Sequence, residues 1–149
     1  MKNNELLIAC ATGDVETAQN CLQDPSCDVN FRSTEGGSAI HLASVLKNPE
    51  ILAMLLAHPQ IDPNARRGYL DETALHMACK AGLVENVDLL LSHPHINPDM
   101  KNSIEMTPCT DACVSNSLLL AQMILQNPAF DDDIADKKTF SWLFEYFIE

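Results

Sequence analysis

Positive charge is scarce in this sequence, which has 9 Lys and Arg against 21 Asp and Glu and a net charge of −12. Binding to nucleic acid or to an anionic membrane surface depends on basic side chains. No apolar run approaches the roughly 18 residues of a membrane span. The first apolar stretch, residues 6–11, lacks a clear cleavage site and is interpreted as a helix rather than a signal core. We therefore expect neither nucleic acid nor a membrane as a partner.

Metal-ligand and catalytic motifs are missing as well. The six cysteines include no C-x-x-C pair, which argues against a zinc ribbon and against a thioredoxin-like redox site. There is no G-x-S-x-G, no P-loop and no dinucleotide-binding glycine pattern. His93 and His95, with His58 earlier in the chain, lack an acidic or thiol ligand at convincing spacing. We expect no catalysis, no cofactor and no metal.

The length of 149 residues, 46% of them hydrophobic, suffices for one domain with its own core. Such a chain does not need disulfides to fold. We therefore expect reduced thiols and an intracellular location, in the cytoplasm or the nucleus.

What the sequence does contain is a repeat, which should be sought before any other feature. Four kinds of residue recur with steps of 34, 35 and 34 residues: a small residue in an apolar run, a leucine, a proline and a polar residue. In that order, the four sets are Ala9, Ala43, Ala78 and Ala112; Leu22, Leu56, Leu91 and Leu125; Pro25, Pro59, Pro94 and Pro128; and Asn30, Asn64, Asp99 and Asp133. In all four sets the second step is one residue longer than the other two. This shared irregularity indicates four related units.

Each unit has the pattern of two short helices, which the third unit shows best. Residues 73–81 have helical spacing and end at Gly82, a residue that tolerates the left-handed conformation after a helix. Helical spacing resumes at Val84 and ends before Pro94, which has no N–H to continue the helix. Helices of about nine residues are not stable alone. The units must therefore stack and bury one another's apolar faces.

The stretch T-A-L-H-M-A at 73–78 resembles the T-P-L-H-x-A motif of ankyrin repeats. The second unit has S-A-I-H-L-A at 38–43, and the fourth keeps Thr107 and Pro108 but loses the histidine. The resemblance covers residues 3 to about 140. The chain departs from the family in three ways: a proline follows each second helix, the loop at 66–72 has an extra residue, and no second helix follows Thr139.

The resemblance implies an all-α ankyrin-repeat solenoid of stacked helix-turn-helix units. We predict repeats at 3–33, 34–68, 69–103 and 104–138 and a terminal helix at 139–149. In this family the motif histidine bonds to neighbouring loops, so His41 and His76 are interpreted as structural rather than as general bases. The implied function is non-catalytic protein binding, as a scaffold, an adaptor or a competitive inhibitor. The alternative is a fragment or self-associating piece of a larger ankyrin array.

In ankyrin arrays, partners usually bind along a concave face formed by the first helices and the loop fingers. On this chain the fingers fall at 31–37, 65–72, 100–106 and 134–138. The second finger is lengthened and crowds Arg and Tyr together, residue types that often anchor interfaces. The predicted protein-binding residues are Arg66, Arg67, Tyr69, Leu70, Leu46, Met77, Lys80, Met100 and Lys101. The alternative for the second finger is a solvated loop with incidental charge.

The C-terminal end is a second candidate surface, with five aromatic residues: Phe140, Trp142, Phe144, Tyr146 and Phe147. We interpret them as a cap on the fourth unit that stays partly exposed, since a terminal repeat must cover its neighbour. A self-association surface and the cut end of a longer array are the alternatives.

Acidic residues cluster just before this end, at Asp131, Asp132, Asp133 and Asp136. Such charge usually keeps a protein in solution. It is also able to attract a protein partner with a basic surface, and that is the alternative interpretation.

Overall fold

The computed structural model describes residues 1–131, and all regular structure within them is α-helical. The eight helices are α1 (Lys2–Thr12), α2 (Val15–Gln23), α3 (Ala39–Ala43), α4 (Glu50–Ala57), α5 (Ala74–Ala81), α6 (Val84–Leu91), α7 (Pro108–Val114) and α8 (Leu118–Leu125). In this part of the chain, β-bridges occur only singly, between Arg32 and Ser38 and between Arg67 and Glu72. The predicted finger at 134–138 and the terminal helix at 139–149 lie outside the described residues.

The helices form four pairs, and each pair packs on the next. The first helix of a unit, such as α5, contacts its own second helix α6 and the next first helix α7. The second helices form a parallel row, in which α2 contacts α4, α4 contacts α6 and α6 contacts α8. Each unit therefore buries its apolar side against its neighbours, and the predicted stack of helix-turn-helix units is confirmed.

Local sequence starts and ends the helices of the third unit. The Thr73 hydroxyl accepts the N–H of His76, and Nδ1 of His76 accepts the N–H of Thr73, so that two otherwise unpaired donors are satisfied. Gly82 ends α5 with a φ of 69°, as predicted from its place in the sequence. The second helix, α6, ends at Leu91, before Pro94.

The core repeats with the sequence. The residue three positions before each marker alanine is fully buried, and this set is Leu6, Ile40, Leu75 and Cys109. The second helices contribute an equally buried set, Cys21, Leu55, Leu90 and Ile124. Burial of these aligned side chains is the main stabilising contribution. Removing one large apolar side chain from water stabilises the folded state by about 1.5–3 kcal/mol.

The second unit closes differently from the third. Its first helix, α3, has only 5 residues, and the following turn has no glycine. Asn86 of α6 is buried and donates both Nδ2 hydrogens, to the carbonyls of Ser44 (2.9 Å) and Leu46 (2.8 Å). Buried carbonyls need such donors. The turn of one unit is therefore completed by a side chain of the next.

Candidate functional site

The three fingers within residues 1–131 are short turns closed by backbone hydrogen bonds. In the second finger (65–72), the backbones of Arg67 and Glu72 exchange two bonds of 2.8 and 3.1 Å. Between them, Gly68 and Asp71 have positive φ angles of 63° and 52°. Gly and Asp are among the few residues that tolerate this conformation, so the sequence supports the tight turn. The finger projects a short, defined loop that carries Tyr69 near its tip.

The third finger (100–106) is built around a buried asparagine. Asn102 donates its N–H to the Met106 carbonyl at 2.9 Å, and its Oδ1 accepts the N–H groups of Ile104 and Met106. Local bonds of this kind replace a regular ladder in tight turns. Asn102 therefore fixes the shape of the finger next to the second one.

Two hydrogen bonds join the second and third fingers. Nη1 of Arg66 donates to the Lys101 carbonyl at 2.9 Å. The N–H of Ser103 donates to the Leu70 carbonyl at 2.9 Å. On the other side, the first finger approaches so closely that a Cβ at Gly36 would lie 3.4 Å from the backbone nitrogen of Gly68. The second finger is thus supported by both of its neighbours.

The supported finger leaves one aromatic side chain in water. Tyr69 is 91% exposed, whereas Leu70 beside it is half-buried. A recess of about 340 Å³ lies under the loop and is lined by Glu35, Arg67, Gly68, Tyr69, Leu70 and Glu72. An exposed tyrosine on a fixed loop has a large contact area and loses little conformational freedom on binding.

His41 and His76 each bond to the finger that follows their own helix pair. The N–H of Ser38 donates to Nδ1 of His41, so the imidazole proton is on Nε2, which donates to the Ala65 carbonyl at 2.8 Å. His76 binds the Met106 carbonyl in the same way, at 3.0 Å. Burial lowers the pKa of both imidazoles. They are held neutral between two backbone groups, and their predicted structural role is confirmed.

A charged group lies where α5 meets α7. Lys80 forms a salt bridge with Glu72 of the second finger. Asp111 of α7 occupies the repeat position of Leu42 and Met77, and it is only 2% exposed. Burial raises the pKa of its carboxyl to about 6, although the charge of Lys80 acts in the opposite direction. Within residues 1–131, Oδ2 of Asp111 has no hydrogen-bond partner.

The described residues offer no arrangement for metal chemistry. Residues 1–131 contain no group of three or more His, Cys, Asp or Glu placed to hold an ion. The rings of His93 and His95 are 5.8 Å apart, but they belong to no such group. Burial raises the pKa of the Cys10 thiol to about 12 and raises that of Cys79 too, so these thiols stay protonated and are poor nucleophiles. None of the eight helices is long and apolar enough to cross a membrane.

The structure brings most of the predicted binding residues together, though in different states. Arg66 and Lys101 are joined by a hydrogen bond, and Nη1 of Arg67 lies 3.8 Å from Sδ of Met77. Lys80 and Lys101 are exposed but paired with glutamates. Leu46 is separate, because it lies in the turn after α3 and packs partly against the core.

Sequence reasoning missed residues that shape the finger face. Gly37 is buried under Arg67, since an added Cβ would lie 3.4 Å from Nε of Arg67. Arg32 lies close enough to His41 that its charge, like that of Arg67, contributes to lowering the histidine pKa. The Gly-Gly pair and the restriction of arginine to finger segments were the available signals.

Comparison with known families gives one finding for this fold. Residues 40–91, from α3 to the end of α6, match a family model described as ankyrin repeats in many copies. The match contains both motif histidines, His41 and His76, and the whole second finger. No curated protein sequence matches the chain. The resemblance to ankyrin repeats is therefore confirmed for the central units.

Proposed function

This chain carries ankyrin repeats, and on that premise we propose that it binds another protein without catalysing a reaction. Ankyrin repeats are in general protein-interaction modules. The observation that carries the proposal is Tyr69, an aromatic ring 91% exposed on a finger held from both sides. Loops presented by a rigid scaffold often carry function, and tyrosine is enriched among residues that dominate binding.

The proposed contact surface extends from the second finger to the third and onto the first helices. Its centre is formed by Arg66, Arg67, Tyr69 and Leu70, and Met100 and Lys101 continue it. Met77 and Lys80 of α5 extend it along the stack, and Leu46 after α3 is a separate candidate contact. In this role the protein acts as an intracellular scaffold, adaptor or competitive inhibitor, in the cytoplasm or the nucleus.

The overall charge supports one further property of the partner. A net charge of −12 attracts proteins that have basic regions and speeds their encounter. The association rate should therefore fall as salt is raised. An association rate that does not change with salt would contradict a partner with basic regions, but it would not contradict the proposed contact surface.

The test is an affinity pull-down from cell extract with the full chain and two variants. Tyr69→Ala combined with Arg66→Gln should lose the specific partner, because an anchor and a neighbouring donor are removed. Lys47→Gln is the matched control, since Lys47 is exposed in the turn before α4, away from the fingers. Equal recovery of the same proteins by both variants would contradict the proposal.

Self-association is the second candidate, and the fourth unit favours it. Val114 is 75% exposed and Leu119 is 54% exposed, which leaves apolar surface near the end of the described chain. The aromatic residues proposed as its continuation, Phe140, Trp142, Phe144, Tyr146 and Phe147, lie outside the described residues. Analytical ultracentrifugation over a range of concentrations tests this candidate. A constant monomer mass would exclude it.

A further inference from the structure

The arginines of this chain are confined to one face. The sequence has only three, Arg32, Arg66 and Arg67, and all three belong to the first and second fingers. Arg67 lies over Gly37 of the first finger, and the backbone of Arg32 is bridged to Ser38, the residue after Gly37. These two fingers also carry Glu35, Asp71 and Glu72, so the region around the exposed Tyr69 is close to neutral in a chain with a net charge of −12.

The arginines differ from the lysines in their pairing. Within residues 1–131, Lys2, Lys80 and Lys101 each form a salt bridge with a glutamate. No salt bridge of an arginine occurs in the same part of the chain, although acidic residues are abundant there. Among the described residues, the fold therefore pairs three of four lysines with glutamates and leaves the charge of the arginines available.

Two of the arginines are also held in place. Arg66 is fixed by its bond to the Lys101 carbonyl. Arg67 lies over Gly37 and reaches Sδ of Met77. Each of these contacts uses one of the five N–H donors of a guanidinium group, so both groups retain donors for a ligand. A guanidinium group that is already held at one nitrogen loses less conformational freedom on binding a ligand than a mobile one does.

We propose that the finger arginines, Arg32, Arg66 and Arg67, bind carboxylates of an acidic segment of the partner protein beside the ring of Tyr69. This inference rests on the proposed function and specifies its partner. Arginine suits the role because its planar group donates two parallel hydrogen bonds to one carboxylate. Within residues 1–131, the acidic surface outside the fingers repels such a segment and attracts basic regions of the same partner, so the fingers are where the acidic segment binds.

Acidic residues of the same face set the limits of this site. Glu35 and Glu72 line the recess together with Arg67. Of the two carboxylates in the recess, Glu72 is bound to Lys80, so Glu35 is the one that competes there with an acidic ligand, and the exposed Asp71 of the second finger adds a further negative charge. The direction in which affinity changes when Glu35 is neutralised distinguishes an acidic partner segment from a basic one. Removal of the Glu35 charge should strengthen binding of an acidic segment and weaken binding of a basic one.

The experiment titrates the full ¹⁵N-labelled chain with an oligoglutamate peptide at low salt and follows amide shifts by NMR. Shifts should be confined to residues 31–37 and 65–72 and their surroundings. Arg66→Gln with Arg67→Gln should weaken binding about tenfold, because charge-assisted pairs are lost. Lysine at both positions keeps the charge without the planar fork and should weaken binding less. Glu35→Gln should strengthen binding, and Lys47→Gln should leave it unchanged.

Three outcomes would overturn the inference: no shifts in the fingers, equal binding by the Arg66 and Arg67 variants, or weaker binding by Glu35→Gln. An oligolysine peptide that shifts the finger signals would indicate a basic segment instead. The pull-down tests the proposed function independently of this titration. If Tyr69→Ala with Arg66→Gln still loses its partner in the pull-down while oligoglutamate does not bind, only the acidic segment is wrong.

Discussion

The third and fourth units begin with the same kind of cap but are joined to the stack differently. Thr73 and Thr107 both cap their helices, at His76 and Thr110 respectively. His76 also reaches the Met106 carbonyl of the next unit, whereas within the described residues the Thr110 hydroxyl bonds only to Thr107, at 3.1 Å. The comparison teaches that one motif position serves two purposes. Starting a helix requires only a short polar side chain, but joining two units requires a long one with two polar ends.

The loss of a core side chain in the third unit should have the largest effect. Leu90→Ala removes a fully buried side chain from a second helix that packs on both neighbouring units. We expect the free energy of unfolding to fall by about 2–5 kcal/mol, measured by urea denaturation. Leu119→Ala is the matched control in the fourth unit. Leu119 is 54% exposed, so its cost should stay below about 1 kcal/mol. Similar costs would show that the core assignment is wrong.

The motif position itself should give the next largest effect. His76→Ala leaves the Met106 carbonyl and the Thr73 N–H without their partner, at a cost of about 1–3 kcal/mol. Thr110→Ala removes only a local bond and should cost about 0.5 kcal/mol. Thermal and urea unfolding of the two variants, compared at one pH, measures the difference. Equal costs would mean that the link across units contributes nothing.

The loops at the other edge of the stack allow the same contrast. Asn64 donates Nδ2 to the His95 carbonyl at 2.8 Å, and its Oδ1 accepts the N–H of Asn97 at 2.8 Å. At the next junction the equivalent Asp99 accepts the N–H of Asp131, but a carboxylate has no N–H to donate. Asn64→Asp should therefore cost about 1 kcal/mol, with Asn64→Ala at least as destabilising. An unchanged unfolding midpoint for both variants would contradict this.

Acidification should act on the third and fourth units in opposite directions. The folded-state pKa of His41 and of His76 is lowered by burial. Their stabilising contribution is therefore complete above the ordinary pKa of 6.5 and declines as the pH falls below it. The Asp111 pKa is raised to about 6, so its contribution is complete below 3.8 and is lost as the pH rises through about 6. Because the two effects oppose each other, the net change in the free energy of unfolding should be the smallest of the four predicted here.

Amide hydrogen exchange in separate units resolves these opposite effects. Between pH 7 and pH 5, protection should decrease around α3 and α5 relative to α7 after correction for intrinsic exchange rates. Asp111→Asn should remove the pH dependence of the fourth unit and raise its protection most at neutral pH. Parallel changes in both units would contradict the assigned causes.

The features that the sequence predicted are those that recur in each unit. The spacing of Ala9, Ala43, Ala78 and Ala112 predicted stacked helix pairs because burial at a fixed register requires it. Gly82 and Pro94 predicted helix ends because their backbone properties act locally. The link made by His76 followed from resemblance to a family motif.

The features that sequence reasoning missed depend on pairs of distant residues. Nothing near Asn86 shows that it completes the turn after α3, because its partners lie 42 and 40 residues earlier. The cover that Arg67 provides for Gly37 likewise depends on the packing of two fingers. For the candidate site, the sequence indicated Arg66, Arg67 and Tyr69 by residue type. It did not show that two of them are fixed and the third exposed.

The reach of Asn86 has a consequence for the order in which the protein is made. The turn around Ser44 and Leu46 leaves the ribosome 40 to 42 residues ahead of Asn86, so these carbonyls must first be hydrated by solvent. The second unit therefore reaches its final form only when the third has emerged from the exit tunnel. During synthesis, the third unit therefore supplies the hydrogen-bond donors that complete the turn of the unit translated before it.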